Sequence, residues 1–446
     1  MEDFFERIKP LLSEDEFKIF KNEYSKTPFV GVRVNTLKCS PEKFESLMKS
    51  EGTEIKKTPF SPVGYYIEDK SSLSGKHPLH HAGAVYFQEP SAMSAATLLS
   101  PEKGEKVLDL CAAPGGKSTQ LAAYLDSEGL IWCNEYVRSR ANILISNIER
   151  CGIGNAVVSS CEPEALCSAL EGYFDRILVD APCSGEGMFR RDENAYSEWT
   201  PEHSDSCAVR QLKILESAKK ALKPGGTLVY STCTFSKAEN EDVAEKFLAN
   251  NPDFELLSCD ESFGRAALDG KSTRIFPMDG GEGHFAAKFR KISGESGGYA
   301  EVLKPTDTRK LPDFVKAFFE DTFDSVSMLS RAYLQGDKLY ILPENCPEIK
   351  GLGVLRAGVF AGLMRKNYFE PAHALFMAES RQNINRVVDL KIIDPRVQKF
   401  LRGEEIDVDE NVKGYAALCV EGIVTGFGKV SEKKLKNKYP KGLRLL

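Results

Sequence analysis

Between residues 105 and 290, short apolar runs suited to strands alternate with helical stretches, and this alternation constrains the fold more than any other feature of the chain. Parallel strands cannot be joined by a tight turn, so the pattern predicts a mostly parallel, Rossmann-like α/β sheet with crossover helices on its faces. The expected strands are KVLDLC, LIWCNE, AVVSS, DRILVDA and GGTLVYST, with HFAAKFRK as a late antiparallel strand. Doubly wound sheets bind ligands at the carboxyl ends of their strands, so the residues just past each run are where function is expected.

The flanks read differently. The first hundred residues form a small α+β unit: a helical opening, a strand GVRVNTLK at 31–38, a helix begun by Ser40 and Pro41, and a strand around GYYIE. A Ser cap followed by Pro in the first turn is a helix start signal. A turn-rich SSLSGKHPLHH leads into GAVYFQEPSAMSAATLL, a strand entering a helix, and a Ser/Gly/Pro-rich stretch after Arg290 reads as a linker. The expected division is 1–95, 96–291, a linker 292–311, and a C-terminal region 312–446 with strand-like KLYILP and GYAALCV. At 446 residues the chain exceeds what one core sustains, roughly 250 to 300 residues.

No apolar run reaches the roughly 18 residues that a bilayer requires, and the acidic start MEDFFERIKPLL lacks the order of a secretion signal, so a cytoplasmic location is expected. Twelve cysteines without a Cys-x-x-Cys pair suit a reducing compartment and no zinc site; most read as core thiols. Histidines 77, 80, 81, 203, 284 and 373 show no metal spacing, although His284, in GGEGHF beside the last expected strand, is a candidate for the pocket. The net charge of -6 argues against nonspecific coating of nucleic acid, but Lys429 to Leu446 carries seven Lys or Arg against the single acid Glu432. By charge alone that stretch reads either as a solvated helix and tail or as a contact for phosphates.

Four strand ends concentrate the chemistry. VLDLCAAPGGKSTQLAAYL (107–125) breaks from a strand into Ala-Ala-Pro-Gly-Gly and then a helix, so backbone and free helix-start amides come close to a ligand. It is a nucleotide-type cradle without the phosphate-loop or dinucleotide fingerprint. The next strand ends in Glu135, placed to grip a ribose diol. Strands four and five end in Asp180-Ala181-Pro182-Cys183 and Thr232-Cys233-Thr234, which should set two thiols and a carboxylate in one pocket.

The strings CAAPGGKSTQ, DAPCSGEGMFRRD and STCTFSKAENE resemble the Sun-type family of RNA cytosine-C5 methyltransferases, in particular its bacterial RsmF-like branch acting on small-subunit ribosomal RNA. The likeness spans nearly the whole chain, including GVRVNTLK, FQEPSAM, RIFPMDGGEGHF and LKNKYPKGLR. It implies S-adenosylmethionine as cofactor and ribosomal RNA, within the small subunit, as partner, with neither membrane nor metal. It also implies Cys233 as nucleophile, Cys183 as the group that assists product release, and Asp180 near the transferred methyl. The implied cofactor contacts are Cys111, Ala112, Ala113, Pro114, Gly115, Gly116, Lys117, Glu135 and Asp180. Where relatives often carry an Asp after the third strand, this chain reads Ser159-Ser160-Cys161-Glu162, so Glu162 is the expected substitute.

The chemistry accounts for the thiol. Carbon 5 of cytosine is too weak a nucleophile to take a methyl group, but thiolate addition at carbon 6 converts the ring to an enamine whose carbon 5 is not. Loss of the carbon 5 proton and elimination of the sulfur must follow, on a base turned out of its stack. The resemblance further implies an RNA-placing N-terminal unit and a terminal PUA-like module. Arg190, Arg191 and the basic tail are expected to meet phosphates, and Tyr439 an unpaired base. A transfer-RNA cytosine as target, or a noncatalytic RNA-binding assembly factor, are the competing readings. A methyltransferase for protein amides is disfavoured, because Asp-Ala-Pro-Cys stands where those enzymes carry Asn-Pro-Pro-Tyr.

Overall fold

The chain is described from a computed structural model, which covers residues 2–69, 72–197, 199–259, 263–294, 297, 300–408 and 412–445. Its N-terminal unit is a four-stranded antiparallel sheet, β1 (Gly31–Val34), β2 (Ile55–Lys57), β3 (Gly64–Ile67) and β4 (Val85–Phe87), in the order β2-β3-β1-β4. Between β1 and β2 runs the helix Pro41–Ser50, whose first turn is capped by the Ser40 hydroxyl accepting the Lys43 amide.

The central sheet contains the strands that apolar periodicity predicts. β5 (Lys106–Asp109), β6 (Leu130–Asn134), β7 (Ala156–Ser159), β8 (Phe174–Asp180) and β9 (Leu222–Thr232) are mutually parallel, and β6 and β7 are buried along their whole length. Burial on both faces explains why these strands read as continuous apolar runs rather than alternating ones. After β10 (Phe254–Leu257), β11 (Arg265–Ala266) and β12 (Thr273–Ile275), the chain enters β13 (His284–Lys291), antiparallel to β9 as expected of HFAAKFRK. The order is β11-β12-β13-β9-β8-β5-β6-β7, with β10 also on β13. The sequence-adjacent β5 and β6 are neighbours, but β8 lies on the other side of β5. The sheet therefore reverses direction at β5, which opens a crevice over its carboxyl end.

The segment beyond the linker builds two further sheets. β14 (Ala332–Gln335), β15 (Lys338–Ile341), β17 (Val359–Met364) and β18 (Phe369–Pro371) form one, while β16 (Val354–Ala357) pairs antiparallel with β7 and extends the central sheet. The second holds β19 (Val387–Leu390), β20 (Ile406–Asp407), β21 (Gly414–Val420), β22 (Ile423–Ser431) and β23 (Lys434–Asn437). Among the described residues, no helix is long and apolar enough to cross a membrane.

Two expectations for the terminal stretch fail. Lys429 to Asn437 is sheet, not a solvated helix, because Val430 and Leu435 are both buried and pair across β22 and β23. Tyr439 is 2% exposed, its hydroxyl 2.8 Å from Nδ1 of His81, so its ring is packed between the terminal sheet and the N-terminal unit and offers no stacking face.

The candidate active site

β8 and β9 are parallel neighbours with Asp180 opposite Ser231, so the loops leaving them start side by side. Cys183 and Cys233 lie in those loops with their sulfur atoms 3.3 Å apart. Both burial and the adjacent Cys233 sulfur push the Cys183 thiol well above its ordinary pKa, the sulfur contact being the larger cause. Cys183 therefore keeps its proton, and at this distance either sulfur can be the donor.

Backbone contacts fix this pair. The Gly187 amide donates to the Cys233 carbonyl at 2.9 Å, and a Cβ at Gly187 would stand 2.7 Å from the Gly283 carbonyl oxygen. Three loops thus meet where no side chain fits. Behind them Phe235 stacks on Phe276 at 5.2 Å, and Phe20 of the N-terminal helix Glu14–Tyr24 meets both edge-on. The opening helices therefore clamp the loop that carries Cys233.

Under the Cys183 loop, the buried Glu239 carboxylate accepts from the Ser184 amide at 2.9 Å, the Ser204 hydroxyl at 2.7 Å, Gln211 Nε2 at 2.9 Å and the Ser184 hydroxyl. Replacing it by Ala leaves the Ser184 amide unpaired and takes one acceptor each from the Ser184 and Ser204 hydroxyls and Gln211, which keep only Thr234, Ser236 and the Pro182 carbonyl; a buried donor left unpaired costs about 1–3 kcal/mol. Glu239→Ala is expected to lower unfolding free energy by about 3 kcal/mol or more in urea titrations, and Glu239→Gln by less.

The cleft above β5 has a volume of about 290 Å³, and its walls include Cys111, Ala112, Ala113, Pro114, Gly116, Lys117, Asp180, Cys233 and His284. Gly115, at φ +113°, makes the turn into the helix Gly116–Leu125, a conformation that a side chain disfavours. Lys117 is not at the surface: its Nζ lies 2.7 Å from Asp180 Oδ2, with the side chain 12% exposed. Burial opposes both charges but does not prevail: Asp180 raises the Lys117 pKa, while Lys117, His284 and the Ser231 hydroxyl at 2.7 Å hold the Asp180 carboxyl below its usual range.

Motif reading did not single out Asp109 or Glu89, and both line this cleft. Burial pushes the Asp109 carboxyl up to about 7; Ser118 donates to one oxygen at 2.7 Å, and the other has no partner. An acid inside the otherwise apolar VLDLC run was the available signal. Arg33, on β1 and fully buried, donates to the Thr119 hydroxyl at 2.6 Å and to the Gly116 carbonyl at 3.2 Å, tying the glycine turn to the N-terminal sheet.

Other candidates are placed elsewhere. Glu135 sits at the tip of β6, 4% exposed, accepting the Val137 amide at 2.9 Å and pairing with Arg140 at 3.1 Å, outside the cleft wall. Glu162 is exposed and likewise outside that wall: Pro163 starts a helix Pro163–Ala169 and leaves Glu162 as its cap residue. The turn after β7 is held instead by the Cys161 amide donating to Asn134 at 3.1 Å and the Ser160 amide to the Gly353 carbonyl at 2.9 Å. Arg190 is withdrawn from any phosphate role, because its side chain is 3% exposed and paired with Glu282 at 3.2 Å; Arg191 is exposed.

An open, mostly parallel sheet with an antiparallel late strand, a glycine turn at the switch point and polar groups gathered over it defines a Rossmann-like methyltransferase. The family models agree: the one for 16S rRNA methyltransferase RsmB/F matches residues 96–290, those for the N-terminal domain of RsmF, the RsmF first C-terminal domain and the RsmF PUA domain match 1–90, 317–378 and 387–445. The ribosomal RNA small subunit methyltransferase F of Vibrio vulnificus is 32% identical over 99% of this chain and 97% of its own length, and that of Psychromonas ingrahamii 33% over 93% and 90%. A solved methyltransferase homolog from Pyrococcus horikoshii superposes with a TM-score of 0.56 at 30% identity, over 64% of this chain and 93% of that one. The chain belongs to the RsmB/F family of 16S rRNA methyltransferases, on its RsmF branch.

S-adenosylmethionine is the cofactor and RNA methylation the activity of this family. The residues present suit that cofactor: Ala112, Ala113, Pro114 and Gly116 of the turn line the cleft, and the unpartnered oxygen of Asp109 is a buried acceptor awaiting a donor.

Proposed function

We propose that this chain methylates carbon 5 of a cytosine in 16S ribosomal RNA, with Cys233 adding to carbon 6. The observation that carries this reading is the Cys183–Cys233 sulfur pair, 3.3 Å apart at the edge of the cleft that the glycine turn lines. The Cys183 thiol stabilises the Cys233 thiolate by donating to it, first as attacking group and again as the sulfur leaves the product. The Cys111–Lys117 turn and Asp180 line the cofactor's place, with Glu135 at the neighbouring strand tip for the ribose; when bound, S-adenosylmethionine supplies an electrophilic methyl group. Asp180, ionised and bridged to Lys117 and Ser231, orients the ring by accepting from its exocyclic amine. The terminal sheet, with Lys434, Lys436 and Lys438 on or beside β23, and the exposed Arg191 meet RNA phosphates in the small subunit. The test is bisulfite sequencing of 16S rRNA from cells with and without the gene: one or more cytosines are expected to lose protection, and an unchanged pattern contradicts the reading.

Lys117 sets the pH range of the reaction. Its removal in Lys117→Met leaves burial to raise the Asp180 pKa, so the acid limb of the kcat–pH profile is expected to move to higher pH. The sign follows because a carboxylate held low by a partner stays ionised until pH falls through its depressed pKa. A profile that keeps its acid limb in place would separate Asp180 from catalysis.

A further inference from the structure

His284 is 3% exposed, yet neither ring nitrogen has a hydrogen-bond partner. Buried polar groups are nearly always satisfied, so an unpartnered imidazole in the wall of a cleft marks a contact that the substrate completes. Its Nε2 lies 3.8 Å from Asp180 Oδ1, too far for a hydrogen bond. The last ladder pair of β13 and β9 is Phe285 with Thr232, so His284 and Cys233 each adjoin that pair, and both line the cleft.

The stereochemistry demands a base there. On the Cys233 adduct of the proposed function, sulfur and methyl arrive on opposite faces of the ring, so the carbon 5 hydrogen is left on the sulfur's face. Among the other titratable groups lining the cleft, Asp109 holds its free oxygen at the end of β5 for the cofactor, and the rest are committed. Lys117 keeps its protons, Asp180 serves Lys117 and Ser231, and Cys183 stays a thiol. The Glu89 carboxylate is engaged by the Ser91 amide and hydroxyl and by the Ala92 and Glu282 amides. Burial, with Lys117 adding to it, lowers the His284 pKa to about 4, so the imidazole is neutral with a free lone pair.

We propose that His284 is the catalytic base that takes the carbon 5 proton after methyl transfer. The C5–H pair becomes the C5=C6 double bond, the C6–S bond breaks with its electrons returning to the Cys233 sulfur, and the proton resides on the His284 ring until it passes to solvent with product release. The same burial and the same lysine that keep the ring neutral make the imidazolium shed its proton readily.

The test uses the full-length enzyme in excess over a 16S rRNA transcript carrying cytidine tritiated at carbon 5, comparing wild type with His284→Asn and His284→Gln, so that either replacement serves if the other folds poorly. Methyl incorporation in the first turnover should persist, tritium release should slow about 100-fold or more, and a protein–RNA band should build up on denaturing gels. A merely structural role would slow both steps together. Tritium release at the wild-type rate, or loss of first-turnover methylation while RNA and cofactor still bind, overturns the assignment. Failure of the cytosine-C5 reading itself is distinguishable, because wild type would then methylate without releasing tritium.

Discussion

Cys233→Ala is expected to abolish methyl transfer while cofactor binding, measured by calorimetry, stays at its wild-type value. Removal of a covalent nucleophile leaves only positioning and electrostatics, so the single-turnover rate should fall on the order of 10⁴-fold or more. The fold should tolerate the change. Cys233 is only partly buried, and the contacts that fix its loop are made by its backbone, through Gly187, and by the Phe235–Phe276 stack. Cys233→Ser tests the chemistry more narrowly, since a hydroxyl fits the space but is not ionised near neutral pH. It should be nearly as inactive.

Cys183→Ala is expected to have the opposite signature. The attacking sulfur remains, so the first methyl is transferred; what is lost is the thiol 3.3 Å from the Cys233 sulfur, which the proposed function makes its proton donor. Expulsion of that sulfur then lacks its donor, and the enzyme should accumulate as a protein–RNA adduct with turnover reduced by about 10²-fold or more. Adduct should be visible on denaturing gels and disappear in the Cys183→Ala/Cys233→Ala double variant. A single variant that turns over normally and leaves no adduct would remove Cys183 from product release.

The adjacency of the two thiols was legible in the sequence for a simple reason: both follow apolar runs of a parallel sheet, and register makes their loops neighbours. The antiparallel course of HFAAKFRK and the helix after Ser40-Pro41 were legible from periodicity and capping. What escaped was decided by tertiary partners. Nothing in GLGVLRAGVFAGLMRKN announces that Val354–Ala357 leaves its own region to pair with β7. Charge counting made a tail of Lys429 to Leu446, where two buried apolar residues, Val430 and Leu435, make a sheet. Arg190 carries a full charge, but Glu282, 92 residues downstream, is the partner that takes it out of solvent. Glu162 stands at the expected place in the sequence, and what the sequence did not show is that the proline after it starts a helix with Glu162 as an exposed cap.

The central claim is a bond between the sulfur of residue 233 and carbon 6 of the target base. RNA carrying 5-fluorocytidine at the modified site has no proton to lose from carbon 5, so the wild-type enzyme should be trapped after methyl transfer. Mass spectrometry of the digested complex is expected to find the methylated fluoropyrimidine on the peptide containing Cys233. A modified peptide containing Cys183 instead, or methylation without any trapped complex, would contradict the account.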